Sequence, residues 1–401
     1  MEKAGNRLLP LIVVFALVPL GPLAIDVYLP SIPQMMDVFG ASDGDMRQTI
    51  SIYILALGVS QLLAGPISDR FGRRFSAVLG TLVYAMGSIL ASLSPNMEVL
   101  YIARGMQGIG ASFTMITAMA WVRDNYQGND AGRLLSYIGG VSSATSAIPT
   151  IAPLIGSGLA MAWGWAGGFY MMAGLALLLM VLATVGFDSP KPVKVSVDIE
   201  NTVALRCNIK DILSNKNFQV FVLANLLSFG GLLTYVSVAP VVAMQQGGLS
   251  QVEFSMMFGL IGGSQILFSV IAPKVMNKLG RIDTVLTGTI MVAMAGIGLV
   301  LMPEGEVGGF FLMAGMASGG FSLLAGAATS MALEPFQYCA GLASSIDGFL
   351  RMMGGAVLVA IASALNVDGT TALAIVYMMS LLATMVLMVR KRQIAVGKAQ
   401  V

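Results

Sequence analysis

Long apolar segments alternate with short polar ones along the whole chain. Because a bilayer core takes about 20 apolar residues per helix, the pattern predicts twelve transmembrane helices, which we number helix 1 to helix 12. Their predicted bounds in chain order are 8–35, 47–67, 75–94, 97–122, 131–160, 164–187, 217–245, 251–275, 282–302, 308–333, 339–366 and 370–389. The predicted fold class is therefore an all-α integral membrane protein.

The longest polar stretch, 188–216, falls between helix 6 and helix 7. We expect it to be a cytoplasmic linker between an N-terminal six-helix bundle, 1–187, and a C-terminal six-helix bundle, 217–401.

The two halves share a weak repeat, at an offset that stays between 208 and 210 residues. The matching groups are Gly21, Leu23 and Pro30 with Gly231, Leu233 and Pro240; Gly105, Met106, Gly110 and Ser112 with Gly315, Met316, Gly320 and Ser322; Ser136 and Gly139 with Ser345 and Gly348; and 69–73 with 277–281. Four groups near one offset indicate a duplicated unit, and hence two pseudo-symmetric six-helix bundles. Transporters built in this way place their substrate site near the bilayer midplane.

Helix 1 carries one acid, Asp26, with no basic residue nearby in the sequence. An ionisable group at membrane depth is costly and is a candidate functional residue by default. The same segment contains prolines, which remove helix hydrogen bonds, so we expect a kinked helix. These prolines are Pro10, Pro19, Pro22, Pro30 and Pro33.

Composition supports a membrane protein and excludes several classes of function. Only 10% of the residues are charged and 56% are hydrophobic, against about 25% charged in soluble domains. A net charge of +2 indicates no nucleic-acid partner. The absence of histidine removes histidine proton relays, histidine metal sites and Ser-His-Asp catalysis. Because no zinc-protease or phosphate-binding lysine motif is present either, we expect no enzyme.

Lysine and arginine are distributed unevenly between the predicted loops. With the N-terminus inside, nearly all of the 22 basic residues fall on the inner side, and only Arg47 falls outside. Arg104 and Arg351 lie within helices. The positive-inside rule then predicts that both termini are cytoplasmic, as in a multi-pass protein of the bacterial inner membrane.

The connection between helices 2 and 3 reads GPISDRFGRR, from Gly65 to Arg74. It is predicted to be a tight cytoplasmic turn, in which Asp69 caps a helix or pairs with an arginine; a basic loop that only sets topology is the alternative. The motif resembles the signature loop of the major facilitator superfamily, which latches the two halves in the outward-open state. The resemblance implies a gating role for Gly65, Asp69, Arg70, Gly72 and Arg73.

Further stretches extend this resemblance along the chain. RGMQGIGAS, from Arg104, is similar to the arginine motif of proton-driven members. PTIAPLIGSG resembles the antiporter motif of helix 5, with Pro149, Pro153 and Gly156 in place. Ala152 and Ser157 stand where the motif has glycine, and both are small enough for close packing to survive.

The segment AIDVYLPSIPQM in helix 1 resembles the multidrug exporters of the Bcr/CflA type, which act on bicyclomycin, chloramphenicol and florfenicol. This resemblance implies drug/proton antiport of small hydrophobic antibiotics, possible substrates being phenicols such as chloramphenicol. The energy source is then the proton gradient, with no cofactor and no metal. The expected partners are the drug, protons and the lipid bilayer, and we expect a monomer.

Asp26 and Arg104 are predicted to lie at the same depth, about 12 Å below the outer surface at ~1.5 Å per residue. If both helices line a cavity, as the family fold implies, the two charges share one compartment. Protonation of Asp26 from the outside would release substrate, and Arg104 would stabilise the unprotonated carboxylate. A static ion pair is the alternative.

Tyr28 and Gln107, nearby, are candidates for hydrogen bonds to substrate, and ordinary packing is nearly as plausible for them.

Asp347 and Arg351 in helix 11 are spaced four residues apart, so they share one helix face and can pair. They are candidates for substrate contact or for an inner gate. An intrahelical pair at the inner interface is the alternative.

A second function stays open at this point, because one fold hosts many functions. A proton symporter or facilitator that imports a small nutrient would have the same architecture. Sugar importers usually need more polar cavity groups than this sequence offers. Export and import would be separated by whether expression lowers or raises cellular accumulation.

Overall fold

The structure is a computed structural model and describes residues 8–125, 144–187, 209–303, 305–365 and 367–399. Within these ranges the chain forms helices and short connections, without a strand. Ten of the described helices are long and apolar enough to cross a membrane. Helix 4 is long enough but less apolar, and helix 5 is described only from Ala144 onward. The predicted all-α membrane fold is confirmed.

The helices follow the predicted order, with somewhat different ends. Their bounds are Asp43–Phe71 for helix 2, Arg73–Ser92 for helix 3, Met97–Asn125 for helix 4, Ala144–Trp163 for helix 5, Gly167–Gly186 for helix 6, Lys216–Pro240 for helix 7, Gln251–Leu279 for helix 8, Arg281–Leu301 for helix 9, Val307–Leu333 for helix 10 and Ala340–Ala364 for helix 11, while helix 12 consists of Gly369–Met378 and Ser380–Ala399. A π-helical turn, Val241–Gln246, extends helix 7, and a 3-10 turn, Glu334–Cys339, follows helix 10.

Helix 1 is broken, as its prolines predict. It consists of Leu8–Leu17, Leu20–Asp26, a 3-10 turn at Leu29–Ser31 and a last segment, Ile32–Phe39. Prolines stand at the start of the later segments, where a missing N–H group costs no helix hydrogen bond. The break after Asp26 leaves the last carbonyl groups of the middle segment without partners inside the helix.

Helices 2 and 3 are joined by one residue, Gly72, rather than by the loop that the sequence predicts. Helix 2 continues through Pro66 to Phe71, and Gly72 takes φ 90° and ψ 159° before helix 3 begins. Gly280 connects helices 8 and 9 with φ 90° and ψ 161°. Positive φ of this kind favours glycine, so the duplicated turn depends on the same residue type in both halves.

The chain divides into two compact units. The first consists of Met1–Val193 and Gly248–Gly262, and the second of Lys194–Gly247 and Gly263–Val401, so the first part of helix 8 belongs to the first unit. Corresponding helices pack in each unit: helix 3 against 4 and 6, like helix 9 against 10 and 12, and helix 1 against 4 and 5, like helix 7 against 10 and 11.

The described end of the predicted linker is helical. Residues Ile209–Ser214 form a short helix before helix 7, and Ile212 is buried in the apolar core of the second unit. Residues 188–208 of the linker lie outside the described part of the chain.

Paired glycines bring helices 3 and 4 into backbone contact, and the repeat reproduces the pair in helices 9 and 10. A Cβ atom on Gly110 would lie 2.6 Å from the carbonyl oxygen of Gly80. In the second unit, a Cβ atom on Gly320 would lie 2.7 Å from the carbonyl oxygen of Gly288. Small residues are the usual means of close helix approach in membranes. The repeated glycines are therefore part of a duplicated scaffold.

We expect Gly320→Ala to destabilise the protein by about 1–3 kcal/mol, because the added methyl group overpacks a backbone contact. Gly326→Ala, on the same helix, is the matched control, since its Cβ atom would meet nothing within 4 Å. Thermal unfolding of the two purified variants in detergent measures the difference. Equal melting temperatures would contradict the role of the glycine crossing.

Candidate functional site

Arg104 is fully buried in the first unit and binds the broken part of helix 1. Its Nη1 atom donates to the carbonyl oxygen of Ala24 at 2.7 Å and to Oε1 of Gln107 at 2.6 Å. Ala24 lies in the last turn of the Leu20–Asp26 segment, where carbonyl groups lack intrahelical donors and the helix dipole favours a cation. The break in helix 1 therefore provides the binding site for the Arg104 guanidinium.

Two tyrosine rings enclose the same guanidinium. Its central carbon lies 4.6 Å from the ring centroid of Tyr28 and 4.7 Å from that of Tyr53, distances at which a cation is attracted to the ring face. The Tyr53 hydroxyl donates to the carbonyl oxygen of Gly21 at 2.7 Å. The Tyr28 hydroxyl is hydrogen-bonded to Oγ1 of Thr49 at 2.8 Å. Helices 1 and 2 thus hold the cation from two sides.

Further bonds from helix 3 complete this cluster. Tyr84 donates its hydroxyl to the carbonyl oxygen of Leu20 at 2.9 Å. Nε2 of Gln107 donates to Oγ of Ser88 at 2.8 Å. Sequence reasoning missed Tyr53, Tyr84 and Ser88. A usable signal was present for the tyrosines, because a buried tyrosine hydroxyl usually finds a partner.

Asp26 lies beside this cluster but is not paired with Arg104. The carboxylate is 4% exposed and forms no ion pair with any residue that the structure describes. Asp26 and Arg104 both lie within electrostatic range of Tyr28 and Tyr53. Nε and Nη2 of Arg104 have no hydrogen-bond partner. One buried compartment therefore contains an unpaired acid and an arginine with two unused nitrogens, and the static ion pair is not observed.

Tyr28 and Gln107 are both fully buried. Their polar atoms bind Thr49, Arg104 and Ser88. In this structure they position the arginine, and their contact with a substrate stays a prediction.

The antiporter motif brings helix 5 against helix 1 at the residue after Asp26. Pro149 and Pro153 lie within helix 5. A Cβ atom on Gly156 would clash with the carbonyl oxygen of Val27, well inside the 3.0 Å that real Cβ atoms essentially never cross. The close packing expected of the motif is therefore present at Gly156.

Arg73 connects three helices at the turn between helices 2 and 3. It donates to Oδ1 of Asp69 at 2.5 Å, to Oγ of Ser68 at 2.9 Å and, through Nε, to Oδ2 of Asp124 at 2.7 Å. The predicted pairing of Asp69 with an arginine is confirmed. Arg70 lies over the ring of Phe71, 5.4 Å from its centroid.

The second unit repeats part of this arrangement, with Arg281 bound to Glu334 at 3.0 Å.

A Cβ atom on Gly65 would meet nothing within 4 Å, so the structure shows no packing reason for that glycine. Gating by the five motif residues stays a prediction.

Asp347 and Arg351 differ from the intrahelical pair that their spacing allows. Asp347 is 3% exposed, and the two residues form no ion pair in the described structure. The Arg351 guanidinium instead lies over the ring of Phe229 in helix 7, 5.5 Å from its centroid. Attraction to the aromatic face offers the guanidinium an alternative to the carboxylate. Substrate contact by either residue stays a prediction.

A duplicated set of membrane helices, with an acid and an arginine buried at a helix break, is the architecture of a secondary transporter. The chain belongs to the Major Facilitator Superfamily, whose family model matches residues 15–359. It is therefore a multi-pass membrane transporter.

Similar proteins include the Multidrug resistance protein MdtL of Klebsiella pneumoniae (strain 342), 28% identical over 354 residues and 88% of each chain. The protein of the same name from Shewanella oneidensis is 29% identical over 376 residues and 93% of each chain. Among solved structures, the xylose transporter XylE from E. coli, in a partially occluded inward-open conformation, matches with a TM-score of 0.73 at 15% identity, over 95% of this chain and 97% of that one.

We expect Gly156→Ala to abolish most transport, because the added methyl group separates helix 5 from helix 1 next to Asp26. Gly158→Ala is the matched control on the same helix, since its Cβ atom would meet nothing within 4 Å. Transport by the two variants at equal membrane expression measures the effect. Equal activity would show that the close approach is not needed.

We expect Tyr53→Phe to lower stability by about 0.5–1.5 kcal/mol, the net worth of one hydrogen bond, because it loses the bond to Gly21 and keeps the ring. Tyr53→Leu should lose up to about 2 kcal/mol more with the cation–π contact. The comparison is made by thermal unfolding of both variants. A Tyr53→Leu variant no less stable than Tyr53→Phe would contradict the ring's role in holding Arg104.

Proposed function

We propose that this transporter exports small hydrophobic antibiotics in exchange for protons, by alternating access. The observation that carries the proposal is Asp26, buried without an ion pair at the break in helix 1, beside Arg104. Relatives at 27% to 29% identity named as multidrug resistance proteins support the substrate class. The Bcr/CflA-like segment of helix 1 supports phenicols, such as chloramphenicol, as the first compounds to try.

The chemistry follows from the cost of burying charge. A carboxylate without a partner is expensive in a low-dielectric site, so a buried, unpaired Asp26 is best accommodated with a proton bound. When the proton leaves, the negative charge needs a partner. Nε and Nη2 of Arg104 are the unused donors of this compartment. Proton loss would therefore draw the arginine toward the acid.

This exchange of partners couples the proton to the conformation of helix 1. Arg104 binds the carbonyl oxygen of Ala24, only two residues from Asp26. A shift of the guanidinium toward Asp26 would weaken that bond and release the end of the helix segment. We infer that a proton taken up from the periplasm restores the Ala24 bond and accompanies drug release. Drug binding from the cytoplasm then accompanies proton loss.

The remaining features of the proposal follow the distribution of charge. Both termini lie in the cytoplasm, and the protein resides in the bacterial inner membrane, where the proton gradient is its energy source. Arg73 and Asp69 take part in gating at the cytoplasmic ends of helices 2 and 3. Tyr28 and Gln107 support Arg104 and contact the drug only when the compartment opens.

We expect Asp26→Asn to lose proton-coupled efflux entirely, because asparagine cannot exchange a proton. Drug-sensitive bacteria expressing the chain are loaded with chloramphenicol, and its accumulation is measured with and without an uncoupler of the proton gradient. Wild-type cells should accumulate less drug, and the uncoupler should abolish the difference. Asp37→Asn, an exposed acid on the same helix, should behave like wild type.

Two outcomes would overturn the proposal. Undiminished uncoupler-sensitive efflux by Asp26→Asn would remove Asp26 from the mechanism. Greater accumulation in wild-type cells than in vector controls would indicate import instead. A resistance profile of the same cells across about twenty antibiotics identifies the substrates. Several chemical classes are included because a promiscuous pocket accepts unrelated ligands.

A further inference from the structure

A buried polar cluster lies within the second unit, outside the site around Asp26. Asn225 of helix 7 is fully buried and Asp347 of helix 11 is 3% exposed. Nδ2 of Asn225 donates to Oγ1 of Thr329 in helix 10 at 3.0 Å. Thr329 also lies close enough to Asp347 to act on its carboxylate. Polar side chains from three helices therefore meet around Thr329.

Two acceptors of this cluster have no donor. Oδ1 of Asn225 and Oδ1 of Asp347 are both buried and have no hydrogen-bond partner. A buried acceptor without a donor is costly, and more so when it is charged. A neutral carboxyl group offers one O–H donor as well as acceptor capacity. A proton on Asp347 would therefore supply the missing donor and remove the buried charge.

The natural partner of a charged Asp347 is present but engaged elsewhere. Arg351 lies one turn further along helix 11, at a spacing that allows pairing. Its guanidinium lies over Phe229, and its Nε atom has no hydrogen-bond partner. Arg351 is the one charged group that acts on Asp347 among the described residues, and Thr329 of helix 10 is the other side chain that does so.

The duplicated scaffold does not account for this acid and base. At the repeat offset of helix 11, the residues of the first half that correspond to Asp347 and Arg351 are Ile138 and Ser142. The same comparison pairs Asp26 with Val236. Each half therefore carries a buried acid that the other half lacks, on a different helix.

We propose that Asp347 is a second proton-binding carboxyl group of the transport cycle. It holds a proton in the present conformation, and on releasing that proton to water it forms an ion pair with Arg351, which leaves Phe229. The only covalent change is the O–H bond of the carboxyl group, whose proton passes to water. The inference rests on the proposed proton-driven transport and adds a second proton to it.

Infrared difference spectra recorded across a pH titration test this directly in the purified full-length chain, without any drug. A protonated carboxyl group shows a C=O stretching band that disappears on deprotonation. We expect wild type to lose two such buried bands as the pH rises. Asp26→Asn should lack one band and Asp347→Asn the other. Asp211→Asn, an exposed acid of the second unit, should retain both.

A second variant tests the exchange of partners and does not depend on the folding of Asp347→Asn. Arg351→Gln removes the cation that replaces the proton, so the Asp347 band should persist throughout the titration. Transport assays should then show one proton fewer per chloramphenicol for Asp347→Asn than for wild type.

Three results would overturn the inference, and they leave the role of Asp26 standing. Identical spectra for wild type and folded Asp347→Asn would show that Asp347 carries no proton. An unchanged titration in Arg351→Gln would show that the arginine is not its partner. A band that responds to added sodium at constant pH would assign the cluster to a metal cation instead. Wild-type spectra that contain the Asp347 band but no band assigned to Asp26 would count only against the function proposed above.

Discussion

The lack of water around the backbone within a bilayer is the constraint on which this molecule depends. Helix 1 is broken by prolines, and its middle segment, Leu20–Asp26, needs donors from other helices. Arg104 supplies one to Ala24 in the last turn, and Tyr53 and Tyr84 bind the carbonyl groups of Gly21 and Leu20 at the start of the segment. The break that requires a cation at its carbonyl end also places an acid there. The side chains that bind the backbone at this break therefore also surround the buried acid.

The two halves separate scaffold from chemistry. Gly80 with Gly110 and Gly288 with Gly320 form the same backbone crossing, and Gly72 and Gly280 form the same turn. These positions hold helices in place and recur because each unit needs them. The buried charges do not recur, since they occupy different helices in the two units. Each half of the duplicated framework thus carries a buried acid on a helix where the other half has none.

Sequence patterns predicted the twelve segments, the kinked first helix and the burial of Asp26 and Arg104, because apolar length, proline and charge at membrane depth act locally. They failed where distant groups compete. The bond from Arg104 to Ala24 depends on how helices 1 and 4 approach, and no spacing encodes it. The spacing of Asp347 and Arg351 allowed a pair, but Phe229 from another helix takes the arginine. Helix 2 extends past Pro66 because membrane helices tolerate a proline where neighbouring groups satisfy the freed backbone. The helix ends at Gly72.

A turn of one residue leaves no slack between the helices that it joins. Because Gly72 alone separates helices 2 and 3, and Arg73 ties that corner to Asp124 of helix 4, a tilt of one helix must be followed by the others. The turn is therefore a rigid connection between the helices rather than a flexible one. A displacement at this turn is then transmitted along the same three helices to their buried middle, where the tyrosines and the arginine lie.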